Sequence, residues 1–370
     1  MKKIILPLLL VLLSFNTYSQ YKGNPGKAKS SLEKSKLKSN EDEIKELLII
    51  AKGEIDLAIQ IEKQKNKANT WLIRGDVYTE IIKRGFLDLD SEALSKAIEA
   101  YDKIGSDVQT KDAMIIQNTV VGKQNLYVHY VNEAINFQQG GDEPNYEESF
   151  KSWQSALLVN PNDTLSMLYS AFAAEGIGRY DIALDYYNSL IKFIDKNKGI
   201  NLDSDDNILN KRTVNSIYQN AVNILYTKCE LFSECESYSK TQTLINSAKN
   251  ILPNENFFYN VEINIAVALN NVEQARNKVE ERLLADPNNP GLHFNRAVLY
   301  YNLGINISEN YNMNENQKLD SLDKVYKSSI ESFKNTLQLD PNNERALLYI
   351  LDAYKANAKP YYDLKRNLDY

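Results

Sequence analysis

From residue 41 onward, apolar residues recur at i, i+3, i+4 and i+7, and short polar turns interrupt them at intervals. This is the period of amphipathic helices, and it predicts an all-α chain. The N-terminus has a different pattern. Lys2 and Lys3 precede the apolar run Ile4–Leu13, which is too short to cross ~30 Å of hydrocarbon as a helix. Small residues at Thr17 and Ser19 follow, so residues 1–19 are expected to be an export signal cut before Gln20. The product should be periplasmic or secreted and soluble. Residues 20–40 carry Lys22, Lys27, Lys29, Lys34, Lys36 and Lys38 against the single acid Glu33. With few apolar positions before Ile44, this stretch reads as a mobile basic arm.

The turns repeat. Asp286-Pro287-Asn288-Asn289 and Asp340-Pro341-Asn342-Asn343 are near copies, and Asn160-Pro161-Asn162-Asp163 is a third. Proline ends the helix before it, and Asn or Asp caps the helix after it. Pro253 and Pro287 lie 34 residues apart. Within that frame one slot of the first helix reads Gly75, Ala134, Ala171, Cys229, Ile263 and Ala297. The matching slot of the second helix reads Ala97, Ser149, Ala183, Thr241, Ala275 and Ser329. A large residue follows four later: Tyr101, Trp153, Tyr187, Ile245, Val279 and Phe333. Small slots let two antiparallel helices approach closely, and the large residues fill the holes between successive hairpins.

With its 34-residue period and the run from Trp71 through Gly75 to Tyr78, the chain resembles the tetratricopeptide-repeat family across roughly residues 68–343. The resemblance implies a right-handed superhelical solenoid of about six antiparallel hairpins. Residues 41–67 would cap one end and 344–370 the other. Ile263 is bulky where the family has a small residue, and Arg282 takes an apolar slot. Polar inserts at 83–92, 197–213 and 306–324 read as surface loops.

Chemistry is sparse. The chain has 2 His and 2 Cys and a net charge of −6, a balance that argues against a nucleic-acid binder. There is no HExxH, P-loop, GxSxG or CxxC, and no catalytic residue, cofactor or metal is expected. Asp203, Asp205 and Asn207 start like a calcium loop, but Ile208 replaces its glycine and Val214 its glutamate. His129 and His293 read as packed structural residues. Cys229 and Cys235 are six apart, ~9 Å along a continuous helix, so a bridge requires a sharp turn between them.

In the family the concave face, built from first helices, holds a peptide or partner helix. Carrying the register over places Leu72, Val131, Ile135, Leu168, Phe172, Tyr226, Phe257, Asn260, Asn264, Phe294, Val298 and Tyr301 on that face. None is cationic, so the family's carboxylate clamp is not expected. The resemblance and this apolar, amide-bearing surface imply a non-catalytic scaffold that docks an apolar or aromatic-rich segment of an envelope protein. A solenoid whose groove is filled by its own termini is the alternative, ahead of a glycan-binding module or an enzyme with an unrecognised site. The pattern leaves oligomeric state open.

Overall fold

The computed structural model describes residues 22–141, 143–197, 202–204, 208–232, 236–269, 271–309 and 313–368. The expected signal segment, Asp205, Asn207 and Cys235 lie outside these residues, as does the side chain of Cys229. The described residues form sixteen helices and no strand. No helix among them is long and apolar enough to cross a membrane. Contacts divide the chain into two compact units, residues 1–186 and 187–370.

In the first unit α1 (Pro25–Lys36) pairs with α2 (Glu41–Ala58) and is followed by the single turn α3 (Glu62–Lys65). Next come α4 (Ala68–Lys83) with α5 (Ala93–Ser106), then α6 (Ala113–Gln139) with α7 (Tyr146–Val159), and α8 (Thr164–Gly176). Helix α9 (Tyr180–Lys196) spans the unit boundary. The second unit continues with α10 (Lys211–Phe232) and α11 (Glu236–Ile251), α12 (Asn256–Ala268) and α13 (Val272–Ala285), and α14 (Pro290–Glu309) and α15 (Glu315–Leu339). It ends with α16 (Glu344–Leu368), packed on α15.

The slots read from the sequence are the packing positions. Ala134, Ala171, Ala297, Ala97, Ser149, Ala183, Thr241, Ala275 and Ser329 are fully buried, and so are Trp153, Tyr187, Ile245, Val279 and Phe333. Bulky Ile263 is buried too. Two hairpins share a bond between equivalent slots: the Ser149 hydroxyl donates to the Ala134 carbonyl at 2.9 Å, and Ser329 donates to Ala297 at 2.7 Å.

One tight slot belongs to Tyr101. A Cβ on Gly75 would lie 2.5 Å from its ring, and a Cβ on Gly122 of α6 would lie 2.5 Å from its hydroxyl. The ring is wedged between two helix backbones that only glycine leaves open. Its hydroxyl donates to Asp76 at 2.9 Å and shares a hydrogen bond with Thr79 at 3.1 Å.

The structure corrects the basic arm. Residues 25–36 are helix α1, the first helix of a hairpin that precedes the six expected. Asn24 caps it, accepting from the backbone of Gly26 and Lys27, with Pro25 in the first turn. Ala28, Ser31, Leu32 and Ser35 form the buried stripe, small enough for α1 to lie close on α2. A Cβ on Gly23 would come within 2.3 Å of the Glu54 carbonyl oxygen. Lys27 pairs with the buried Glu54 carboxylate at 2.6 Å, and that carboxylate also accepts from the Asn24 N–H. The lysines are the solvent face of a docked helix.

The insert at 306–324 is also mostly helix. It extends α14 to Glu309 and starts α15 at Glu315 under an Asn314 cap, with Leu322 buried at helical spacing from Val325 and Tyr326. Residues 84–92 connect α4 to α5 and are anchored by buried Phe86 and by Asp90, which binds Lys96 and Lys52. At 202–213, Lys211 donates its N–H to the Leu202 carbonyl and Leu209 is buried.

Candidate functional site

Helix α6 lines an open concavity. Asp112 caps it, accepting from the N–H groups of Met114 and Ile115. Thr119, Gly122, Leu126, Tyr130 and Ala134 form its buried stripe. The opposite side carries Met114, Val121 and Val128, spaced seven apart and exposed by 71, 48 and 39 %. Seven residues are nearly two turns, so the three stand in line. Asn125 falls between Val121 and Val128 on the same face, and Asn132 follows one turn beyond Val128. Where α6 passes the end of α4, the line enters an open groove of about 560 Å³ lined by Lys83, Val128, His129, Asn132, Glu133, Asn136 and Phe137.

His129 is half-buried, with its ring edge-on to Tyr130 at 5.2 Å. Burial holds its imidazole below the ordinary value and Lys83 adds to that, while Glu133 opposes them. A neutral imidazole both donates and accepts a hydrogen bond. With the three amides it gives the groove matched donors and acceptors between apolar points. Read as structural from the sequence, His129 stands on the wall of the groove. His293 does fit the structural reading, its Nε2 lying 2.8 Å from the Pro287 carbonyl.

The sequence-derived face is not uniform. In α4, Leu72 is buried. Val131 packs half-buried on the first unit's core and Ile135 is half-buried one turn on. Leu168 is buried, and Phe172 is half-buried, edge-on to Tyr169 at 5.8 Å. Tyr226 lies 6.4 Å from Tyr238, and Phe257 is edge-on to Phe258 at 5.3 Å. Asn264 is exposed, whereas the Asn260 side-chain oxygen is buried and finds no partner among the described residues. Phe294, Val298 and Tyr301 are turned into the core shared by α14, α15 and α16. Met114 and Val121 were missed because they look like ordinary core residues at helical spacing, and no sequence signal shows which side a neighbour leaves free.

Charged clusters elsewhere are built as supports. Arg74 lies between the rings of Trp71 and Tyr78 and binds Asp56 at 3.2 Å and Glu99 at 2.7 Å. The Tyr78 hydroxyl donates to Asp56 at 2.7 Å; burial, and then the Asp56 carboxylate, push its ionisation up. In α12, buried Glu262 takes Lys278 at 2.8 Å and Lys249 at 2.9 Å. Burial alone would raise its carboxyl, but the two ammonium groups hold it below the usual range. Asp76 has the opposite balance: burial lifts its carboxyl above the usual range, and the Tyr101 hydrogen bond offsets only part of the rise. No group of three or more His, Cys, Asp or Glu among the described residues has metal-binding geometry.

No family model matches the chain, and no curated protein matches it. Solved structures similar to it include a tetratricopeptide-repeat protein of Thermus thermophilus, 14 % identical, covering 62 % of this chain and 98 % of its own, at a TM-score of 0.35. One from Bacteroides fragilis is 15 % identical, with 62 % and 98 % covered and a TM-score of 0.34. A human IFIT1 dimer with m7Gppp-AAAA is 17 % identical, with 93 % and 71 % covered and a TM-score of 0.33. At these scores the assignment of paired helix hairpins rests on this chain's own packing.

Proposed function

We propose that the chain is a non-catalytic protein-interaction scaffold of a bacterial cell envelope, exported with its signal removed before Gln20. It docks an apolar or aromatic-rich segment of a partner protein on its first-helix surface, entering along α6. The observation that carries this reading is the line Met114–Val121–Val128, with Asn125, Asn132 and Asn136 alongside it at the groove. Exposed apolar points at even spacing supply anchors. The amides beside them satisfy the N–H and C=O groups that a docking segment must bring out of water. A net charge of −6 favours a protein segment over a nucleic acid.

Partial self-filling has support in one place. At α4 the surface is already closed: Leu72 is buried, and Asp76 feels Lys36, Glu33 and Lys29 of α1. The docking surface therefore begins at α6.

Selection of displayed peptides on the immobilised protein tests the proposal. Apolar and aromatic sequences should be enriched and should stay bound in 1 M salt, where the screening length falls to ~3 Å. They should be lost on Val128→Asp while far-ultraviolet dichroism stays helical. Release by salt alone, or retention by the folded variant, would refute it.

A further inference from the structure

Helix α16 repeats the first-helix pattern of a hairpin unit but, among the described residues, packs on a neighbouring helix on one side only. Ala346 and Ala353 are fully buried, and Ile350 packs with them on Phe294, Val298 and Phe333. Tyr349 stacks on Phe333 at 6.2 Å. On the other side Leu348 and Leu351 are exposed by 67 and 57 %, flanked by Leu347 and Tyr354 at 48 and 45 %. A contiguous apolar strip of this kind marks an interaction surface.

The order of residues along the strip says what covers it. Glu344, Leu348, Leu351 and Lys355 occupy positions i, i+4, i+7 and i+11, one line on the helix facing away from Ala346 and Ala353. Read in the N-to-C direction it is acid, apolar, apolar, base; reversed, it is base, apolar, apolar, acid. The line is therefore its own complement. We infer that a second copy of this chain packs its α16 antiparallel on the first, about a two-fold axis between Leu348 and Leu351. Leu348 then meets the partner's Leu351, and Glu344 meets the partner's Lys355, once on each side of the axis. A two-fold interface needs this self-matching arrangement. Glu344 is exposed, and among the described residues Lys355 pairs with Asp352 alone, at 3.4 Å, so both can reach across. The two strips and their flanking side chains together bury on the order of 1,000 Å², near the lower bound for a specific interface, so the dimer forms reversibly.

Sedimentation equilibrium on the intact chain from about 1 to 100 µM tests this. The protein should pass from monomer to dimer, and Leu351→Glu should keep it monomeric with unchanged helical dichroism. Glu344→Lys and Lys355→Glu should each weaken self-association about tenfold, because each sets like charges together twice. Mixed one to one, these two variants should pair with each other about as tightly as the unmodified chain pairs with itself. An unmodified chain that stays monomeric throughout overturns the proposal, as does a dimer indifferent to Leu351→Glu. So does failure of the two charge variants to recombine, which would assign the strip to another segment or another protein.

Discussion

Helices α4 and α16 start from the same place in the repeat plan, as first helices of a hairpin unit, and end in opposite surroundings. In α4, 13 of 16 residues are buried. Helices α1 and α2 lie on one side of it and α5 and α6 on the other, so even Arg74 is enclosed and must be matched by Asp56, Glu99 and two aromatic rings. Helix α16 has α15 behind it, and its other face holds leucines in water. Both sequences mix large apolar and aromatic residues with polar ones. What separates them is the number of neighbours, and so the same side-chain chemistry serves as core in one unit and as contact surface in the other.

Substitutions can sharpen or break that contrast. The largest effect is expected at Tyr101. Tyr101→Ala empties the wedge between Gly75 and Gly122 and should cost ~3–5 kcal/mol in urea unfolding, whereas Tyr354→Ala on the open face should stay within ~0.5 kcal/mol. Similar losses at both sites would erase the distinction. Next comes Ala275→Leu, which overfills a fully buried slot and should lower stability by ~1–3 kcal/mol; an unchanged melting temperature would show the slot to be looser than its burial implies.

The buried carboxylates should give smaller effects of opposite sign. Glu262→Gln leaves Lys249 and Lys278 without their counter-charge and should cost about 1 kcal/mol at neutral pH. Because the Glu262 carboxyl is held below its ordinary value of 4.5, this stabilisation is present above that value and fades as pH falls through the folded one. Asp76 is shifted up from 3.8, so the fold favours its protonated form, and that preference is lost as pH rises. Asp76→Asn should therefore raise the melting temperature slightly at neutral pH and leave it unchanged below pH ~3.8. A destabilising Asp76→Asn would mean that the carboxylate is needed in ionised form.

The repeat frame was legible because it rests on volume. A small residue where two helices approach, a large one four positions on, and proline turns at a fixed period each leave a direct mark in the sequence. Helix α1 was hidden because its buried stripe holds a single large apolar residue, Leu32, beside Ala28, Ser31 and Ser35, which look polar or neutral among lysines, and because Gly23 is informative only once α2 lies against it. The extension of α15 was hidden by its Asn- and Asp-rich composition, though Leu322 and Val325 keep helical spacing. For the candidate site the sequence reading assigned the face to the first helices of the hairpins. It could not supply where that face is open, since burial at Leu72, the packing of half-buried Phe294 and exposure at Val128 depend on neighbours far along the chain.

The wedge at Tyr101 has a consequence in time. An aromatic ring can turn over only when its surroundings swell enough to let its edges pass. Here the ring lies against two helix backbones at the positions of Gly75 and Gly122, with its hydroxyl tied to Asp76 and Thr79. No long, pliable side chain lies at those two points to yield. Rotation must wait for α4 and α6 to separate transiently, so the two edges of the Tyr101 ring should give distinct magnetic-resonance signals where freely turning tyrosines give averaged ones. The temperature at which those signals merge becomes a clock for the breathing of the N-terminal unit, read from a single side chain.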